Sequence, residues 1–251
     1  MHNLVIDIGN TNSKVAVFRS RTLVHFESLA KLDIRRIAEL LDTFEVSGST
    51  VSSVSDEQAA VIALLKARTR YIEFSTRSNP GIKNHYTTLS TLGLDRWAKV
   101  IAAQRFFPGE AVFMIDAGTC ITYDLLNEQA EYFGGSISLG IKMRFQALQH
   151  FTGRLPLVEW KNENMTIPEG SDTNKAIQRG VLQGVAYEVE GFIAQQFQKD
   201  NKVKVLITGG DAAFFMNQLK DCKFADQVQH EPYLVLKGLN EVIAFEYVQK
   251  N

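Results

Sequence analysis

Cysteine is nearly absent: Cys120 and Cys222 are the only two, far apart and outside any CxxC or Cys/His spacing. Neither a disulfide framework nor a zinc site is expected, and free thiols point to a reducing compartment. Net charge is missing too, with 27 Lys and Arg against 28 Asp and Glu. Without a basic surplus there is no electrostatic footprint for a phosphate backbone, so nucleic acid is not an expected partner. No apolar run approaches a membrane span, and a strand-like run from about residue 3 leaves no place for a secretory leader. The expectation is a soluble, cytoplasmic protein without a membrane partner. No G-x-x-x-x-G-K-[ST] occurs, and no G-x-G-x-x-G follows a strand, which excludes P-loop and Rossmann nucleotide sites by pattern. The five histidines have no visible Cys or carboxylate partner, no Ser/His/Asp arrangement is suggested, and low-complexity segments are absent.

What is present is a regular alternation of strand and helix patterns, in a chain of 251 residues long enough for one large domain or two modest ones. Three β-like runs, NLVID (3–7), SKVAVF (13–18) and TLVHFE (22–27), are joined so tightly that they must be antiparallel hairpins. A helix around IRRIAELLDTF, a strand around STVSSVS, a helix around DEQAAVIALLKAR and the strand RYIEFST complete a βββαβαβ order. Residues 77–92 have no period and read as a loop. Trp97, Val100 and Ile101 then mark a helix that ends before Pro108-Gly109.

From Ala111 the opening repeats, as AVFMID, TCITYDLL and a run through EYFGGSIS. The unit strand-Asp-x-Gly-Asn-Thr at Asp7 recurs as strand-Asp-Ala-Gly-Thr at Asp116. Duplication of a domain is the better reading, and it divides the chain into residues 1–110 and 111–251. The second half continues with a helix around 140–150, a loop holding Pro156 and Pro168, and a long helix from about Thr173. That helix carries Gly180, Gly184 and Gly191, which weaken it unless another element packs closely there. Thr173 reads as its cap. Strand, glycine turn and helix over KVKVLITGGDAAFFMNQL, then a last helix over LKGLNEVIAFEYVQ, finish the chain.

An aspartate at the end of a strand, followed by a glycine turn with Asn10, Thr11 and later Lys14, presents several phosphate-binding groups at once. They are a carboxylate for a hydrated divalent cation, and NH, hydroxyl and ammonium donors for phosphate oxygens. One D-x-G alone is more often a plain hairpin turn with an edge carboxylate. The second copy at residues 116–119 changes the balance, because two facing hairpins grip a polyphosphate from both sides. ITGGD (207–211) adds a glycine pair against which a flat ring can lie on bare backbone, although Gly-Gly after a strand is often only a turn. GLDRW (93–97) places Asp95 and Arg96 at a helix start. An acid there is favoured by the helix dipole by roughly 0.3–1 kcal/mol whatever its function. The functional reading makes Asp95 a proton acceptor and Arg96 a fork for an anionic group. Tyr86, in the loop, is more often a packing residue, and Cys120 reads as a buried small side chain.

Paired D-x-G hairpins and a later Gly-Gly turn on duplicated halves resemble the acetate kinase, hexokinase and actin superfamily, and within it the type III pantothenate kinases. The features that carry the resemblance are DIGNTNSK (7–14), Tyr86 seven residues before GLDR (93–96), DAGT (116–119), GGSIS (134–138) and TNKAIQRG (173–180). It spans the whole chain. One departure is Leu139 before Gly140, where relatives more often have proline, which questions the stiffness of that loop.

The resemblance implies an α/β fold of two ribonuclease-H-like, actin-like ATPase domains, each a mixed five-stranded sheet flanked by helices. It implies ATP-dependent phosphorylation of pantothenate to 4'-phosphopantothenate, the first step of coenzyme A biosynthesis. Asp7, Ile8, Gly9, Asn10, Thr11, Asn12, Ser13 and Lys14 would bind ATP, with Mg²⁺ near Asp7, most simply through water, and Thr119 contacting ATP. Asp116 matches the position that holds a monovalent cation, potassium or ammonium. Tyr86, Gly93, Leu94, Asp95, Arg96 and Thr173 match the pantothenate site, with Asp95 as catalytic proton acceptor. Homodimers are usual in the family. The competing reading from another class is a non-catalytic nucleotide-binding accessory protein of the same fold. Such a sensor has no evident use for Tyr86, Asp95, Arg96 and Thr173 together. A sugar kinase of the superfamily suits the hairpins but generally needs a longer chain.

Overall fold

The computed structural model describes residues 1–9, 11–53 and 59–249. Its contacts divide the chain into two compact units. The first comprises Met1–Pro108, Ala130–Tyr132 and Tyr233–Asn251, and the second Gly109–Gln129 and Phe133–Pro232.

In the first unit, β1 (His2–Ile8), β2 (Ser13–Arg19) and β3 (Thr22–Leu29) are followed by α1 (Ile34–Phe44), β4 (Val46–Ser53), α2 (Ala59–Arg68) and β5 (Arg70–Glu73). The expected start of α2 at Asp56 lies outside the described residues. The sheet order is β3-β2-β1-β4-β5. The first three strands are antiparallel, and β1, β4 and β5 run parallel. Side chains alternate across the pleat, so Leu4, Ile6, Val15 and Val17 reach one face, where Ile37, Leu40, Val61 and Leu65 of α1 and α2 cover them. Asp7 and Lys14 are cross-strand partners and belong to the opposite face. Asp33 begins α1 by accepting a hydrogen bond from the Arg35 amide at 2.9 Å, the usual work of an N-cap.

Two more helices complete this unit, α3 (Leu94–Phe106) and α7 (Leu234–Gln249), which pack on each other, with α7 also on β1 and β4. Chain order alone puts α7 with the second half, whereas its contacts put it in the first unit. Its place here depends on Gly238, where an added Cβ would lie 1.9 Å from the Ala98 carbonyl oxygen. Only a bare backbone lets the two helices approach so closely. Asn3 and Asn240 tie the same helix to β1, the Asn3 amide donating at 2.9 Å. The loop of residues 77–92 contains a short strand, β6 (Lys83–Asn84), paired in parallel with Glu131 and Tyr132.

The second unit contains β7 (Val112–Ala117), β8 (Cys120–Leu126), most of β9 (Glu131–Leu139), α4 (Ile141–Phe151), α5 (Thr173–Lys199), β10 (Lys204–Thr208), α6 (Ala212–Leu219) and β11 (Val228–His230). The sheet is ordered β11-β10-β7-β8-β9-β6 and so has six strands where five are expected, because the short β6 from the aperiodic loop adds to the start of β9. As in the first unit, an antiparallel opening pair adjoins parallel strands. Phe113, Ile115 and Tyr123 from the sheet pack with Phe145 of α4, Val185 of α5 and Phe214 of α6 in one core.

Two details of α5 differ from expectation. Its N-cap is Asp172, whose carboxylate accepts from the Lys175 amide at 2.9 Å, and Thr173 is the first helical residue. Nor, among the described residues, does another element close on its glycines: a Cβ on Gly180, Gly184 or Gly191 would meet nothing within 4 Å. Cys120 is partly exposed rather than buried, its thiol 3.9 Å from the Met143 sulfur.

Candidate active site

At the end of β1 the chain turns through Gly9, whose amide donates to the Asn12 carbonyl at 3.2 Å. A Cβ on Gly9 would lie 3.3 Å from that carbonyl oxygen, so the turn is tight enough to favour glycine. Asp7 and Ser13 are buried at its base, Lys14 is half-buried, and Gly9, Thr11 and Asn12 are exposed at its tip. The result is a rim of backbone and hydroxyl groups above a carboxylate. Asn10 lies outside the described residues.

The substrate candidates of this unit gather at the start of α3. Trp97 anchors the helix, its indole N–H donating to the Ser78 carbonyl at 2.8 Å. Gly93 occupies the N-cap position and gives no side-chain cap. A Cβ there would fall 2.5 Å from Asp95 Oδ1, so the carboxyl folds back over the glycine. Leu94 is half-buried beside it. Arg96 is 4% exposed, and its guanidinium lies 5.6 Å from the Tyr86 ring centre, a cation–π distance. Tyr86 in turn stacks on Tyr132 at 6.3 Å, and Tyr132 meets Trp97 at 5.9 Å. The Tyr86 amide donates to Asn84 Oδ1 at 3.0 Å, fixing the loop. Tyr86 and Arg96 are therefore one constellation, although ten residues separate them in sequence.

In the second unit, β7 and β8 pair Asp116 with Thr122 and Ala117 with Ile121, and the Gly118 amide donates to the Cys120 carbonyl. Two glycines bring further elements onto this turn. Gly140 starts α4, and a Cβ on it would lie 2.3 Å from the Thr119 carbonyl oxygen. Gly209, with φ +97°, would place a Cβ 2.4 Å from the Ala117 oxygen and 2.7 Å from Asp116 Oδ1. The ITGGD turn thus leans on the hairpin, and the Asp211 amide donates to the Ala117 carbonyl at 3.0 Å. Leu139, just before Gly140, has its carbonyl held by Arg144 Nε at 2.8 Å. A side chain supplies the restraint there. Thr173, at the start of α5, is exposed, as is Thr119.

Beside the glycine turn lies a cavity of about 440 Å³, lined among others by Lys142, Phe145, Val158, Trp160, Lys161 and Asp211. Sequence reasoning missed most of these residues, because residues 152–172 have no period. The segment is pinned by side chains instead: Asn162 Nδ2 donates to the Gly210 carbonyl at 3.0 Å, and Gln218 Nε2 to the Met165 carbonyl at 2.8 Å. Trp160 meets Phe214 edge-on at 5.3 Å. Burial pushes the Asp211 carboxyl up to about 6. Behind the hairpin, Glu188 accepts from Tyr123 at 2.8 Å and Arg144 at 2.6 Å. Burial pushes the Glu188 carboxyl up, but those hydrogen bonds outweigh it and hold it below its ordinary value.

For cations, the donors present suit loosely held ions. A single carboxylate beside a turn of backbone and hydroxyl groups suits a hydrated Mg²⁺, which keeps several waters. Among the described residues no group of three or more His, Cys, Asp or Glu forms an all-protein cage. No helix is long and apolar enough to cross a membrane among those described.

Two mixed sheets, each opening on an Asp-x-Gly hairpin, define the actin-like ATPase fold of two ribonuclease-H-like domains. Solved structures agree. The chain of a Baf family protein from Campylobacter jejuni superposes with a TM-score of 0.60 at 22% identity, over 98% of this chain and 99% of that one. An activator of 2-hydroxyisocaproyl-CoA dehydratase from Clostridium difficile, solved with bound ADPNP, gives 0.52 at 12% identity, over 100% and 96%. A sequence model of the type III pantothenate kinases matches residues 3–195. A type III pantothenate kinase from Bacteroides fragilis is 39% identical over 97% of this chain and 98% of its own length. The chain belongs to the type III pantothenate kinase family, enzymes that phosphorylate pantothenate with ATP at the entry to coenzyme A biosynthesis.

Proposed function

We propose that this chain performs the family reaction with Asp95 as proton acceptor and Arg96 and Tyr86 as the principal holders of pantothenate. Gly93, Leu94 and Thr173 complete the substrate contacts. The observation that carries this reading is the start of α3, where Asp95 folds back over Gly93 and the nearly buried Arg96 guanidinium lies 5.6 Å from the Tyr86 ring. A planar, always charged fork held against an aromatic ring is pre-set for a carboxylate. Asp95 then accepts the proton of the primary hydroxyl as that oxygen attacks the γ-phosphorus of ATP in line and the bond to the β,γ-bridging oxygen breaks. Most of the rate comes from positioning and charge neutralisation.

The turn from Asp7 to Lys14, with its exposed Thr11 and Asn12, binds the phosphates, as does Thr119. The glycine pair at 209 and 210 and the neighbouring cavity, walled by Phe145 and Trp160, take the base. Asp7 would hold Mg²⁺ through water and Asp116 a monovalent cation, potassium or ammonium, and ions bound there neutralise phosphate charge. The enzyme works in the cytoplasm.

Homodimer formation belongs to the same proposal. Gly180, Gly184, Tyr187 and Gly191 recur at four- and three-residue steps and are all exposed on one stripe of α5. Tyr187 is 64% exposed. Three interior glycines cost roughly 1 kcal/mol each against alanine, which a close helix contact from a second copy would offset.

A coupled assay of ADP release in potassium buffer, with and without pantothenate, tests the reaction. ADP release is expected only with pantothenate and is lost in Asp95→Asn. Release independent of pantothenate would overturn the assignment.

A further inference from the structure

We propose that Arg21 and Arg105, both held by the carboxylate of Glu241, form a second binding site, for a small organic anion that carries a carboxylate or phosphate next to an apolar group. Glu241 lies on α7 and is 6% exposed. Its Oε1 accepts from Arg21 Nε at 2.7 Å, and its Oε2 from Arg105 Nε at 3.1 Å and from Arg21 Nη2 at 3.4 Å. One guanidinium would neutralise this carboxylate. The second leaves a surplus positive charge at the same spot, on side chains that are 54% and 51% exposed.

The hydrogen-bond pattern says where that surplus is directed. Both arginines use the Nε edge on Glu241, so Arg21 Nη1 and both Nη groups of Arg105 have no protein acceptor among the described residues. The two forks and Gln104 border a cavity of about 380 Å³, whose remaining lining includes Ile101 and Phe245. Fixed guanidinium edges recognise planar oxyanions in two-point fashion. Their restraint by Glu241 removes part of the ordering cost of binding. An apolar wall beside convergent polar groups is the usual build of a small-ligand site. Arg105 stands in the last turn of α3, ten residues from Asp95 and about 15 Å along the axis, so this site is separate from the substrate constellation.

The probes are phenyl phosphate and phenylacetate, titrated calorimetrically into the full chain, with inorganic phosphate for comparison. Arg105→Gln and Arg21→Gln each leave one guanidinium on Glu241, so the buried carboxylate keeps a partner in both. At least one aromatic probe is expected to bind wild type about tenfold more tightly than inorganic phosphate, and each variant to weaken it at least tenfold, with pantothenate-dependent ADP release unchanged in Arg105→Gln. Which probe binds better identifies the head group. Failure of both probes to bind wild type, or equal binding by wild type and both variants, would overturn the site. Neither result touches the assignment of Asp95.

Discussion

Gly93 and Asp95 share one small volume: a β-carbon on the glycine would fall 2.5 Å from the carboxylate oxygen Oδ1. The backbone there, at φ −57° and ψ 131°, accepts any L residue, and the obstructing atom is the free end of a side chain. Gly93→Ala is therefore expected to fold, at a cost of about 1 kcal/mol or less, while pushing the carboxyl aside. Displacement of a reacting group by about 1 Å costs up to about 10²-fold, so kcat should fall about 10- to 100-fold. Asp95→Asn should fall by roughly 10²- to 10⁴-fold. Steady-state kinetics beside a thermal melt separates the two effects; a Gly93→Ala enzyme with full kcat would show that the position of Asp95 is immaterial.

Arg96 and Tyr86 make a different prediction, because the proposed site uses them to bind rather than to react. Arg96→Lys keeps the charge but loses the planar fork and most of the stacking on Tyr86. KM for pantothenate is expected to rise at least about tenfold, with kcat changed only several-fold, since the lost contact holds ground state and transition state alike. An unchanged KM would remove Arg96 from the substrate site.

The parts of the fold legible in the sequence are those with local signals. Leu4, Ile6, Val15 and Val17 alternate, and their connections are too short for anything but hairpins, so the order of β1 to β3 follows directly. The two Asp-x-Gly turns are legible for the same reason. What was hidden depends on contacts between distant residues. Nothing near Gly238 announces that its backbone meets Ala98, so the sequence alone places α7 with the half that precedes it. Trp160 and Asn162 sit in a segment without period, and their placement comes from bonds to Asn164 and Gly210 carbonyls. At α5 two good capping residues are adjacent, and Asp172 takes the role expected of Thr173. The three residues of β11 are too few to show alternation.

Asp211 predicts a pH effect on stability. Burial lifts its carboxyl from 3.8 to about 6, so between those values the folded protein holds a proton that the unfolded chain releases. Stability from this group therefore falls as pH rises through that window: the penalty is absent below about 3.8 and full above about 6. A shift of about two units corresponds to about 3 kcal/mol, and solvent reaching this half-buried group reduces it to about 1–2 kcal/mol. Asp211→Asn should accordingly be more stable than wild type by about that amount at pH 8 and equal to it near pH 3.5. Urea titrations at the two pH values measure this, and a difference independent of pH would mean that the carboxyl is not perturbed.

The exposed stripe of α5 allows the proposed dimer to be tested by the sign of a stability change. Among the described residues a Cβ on Gly184 meets nothing within 4 Å, so in a monomer Gly184→Ala relieves only helix propensity and should stabilise by roughly 1 kcal/mol. Against a second copy the same position is a contact between backbones, and a side chain there forces the helices apart. Wild type is expected to sediment as a dimer, Gly184→Leu to dissociate at concentrations where wild type does not, and Gly184→Ala to lose stability despite its better propensity. Because dimer stability depends on protomer concentration, the melting temperature of wild type should rise with protein concentration, and that of Gly184→Leu should not. A wild type that sediments as a monomer, with Gly184→Ala raising its melting temperature, would leave the stripe open to solvent and remove the dimer from the proposal.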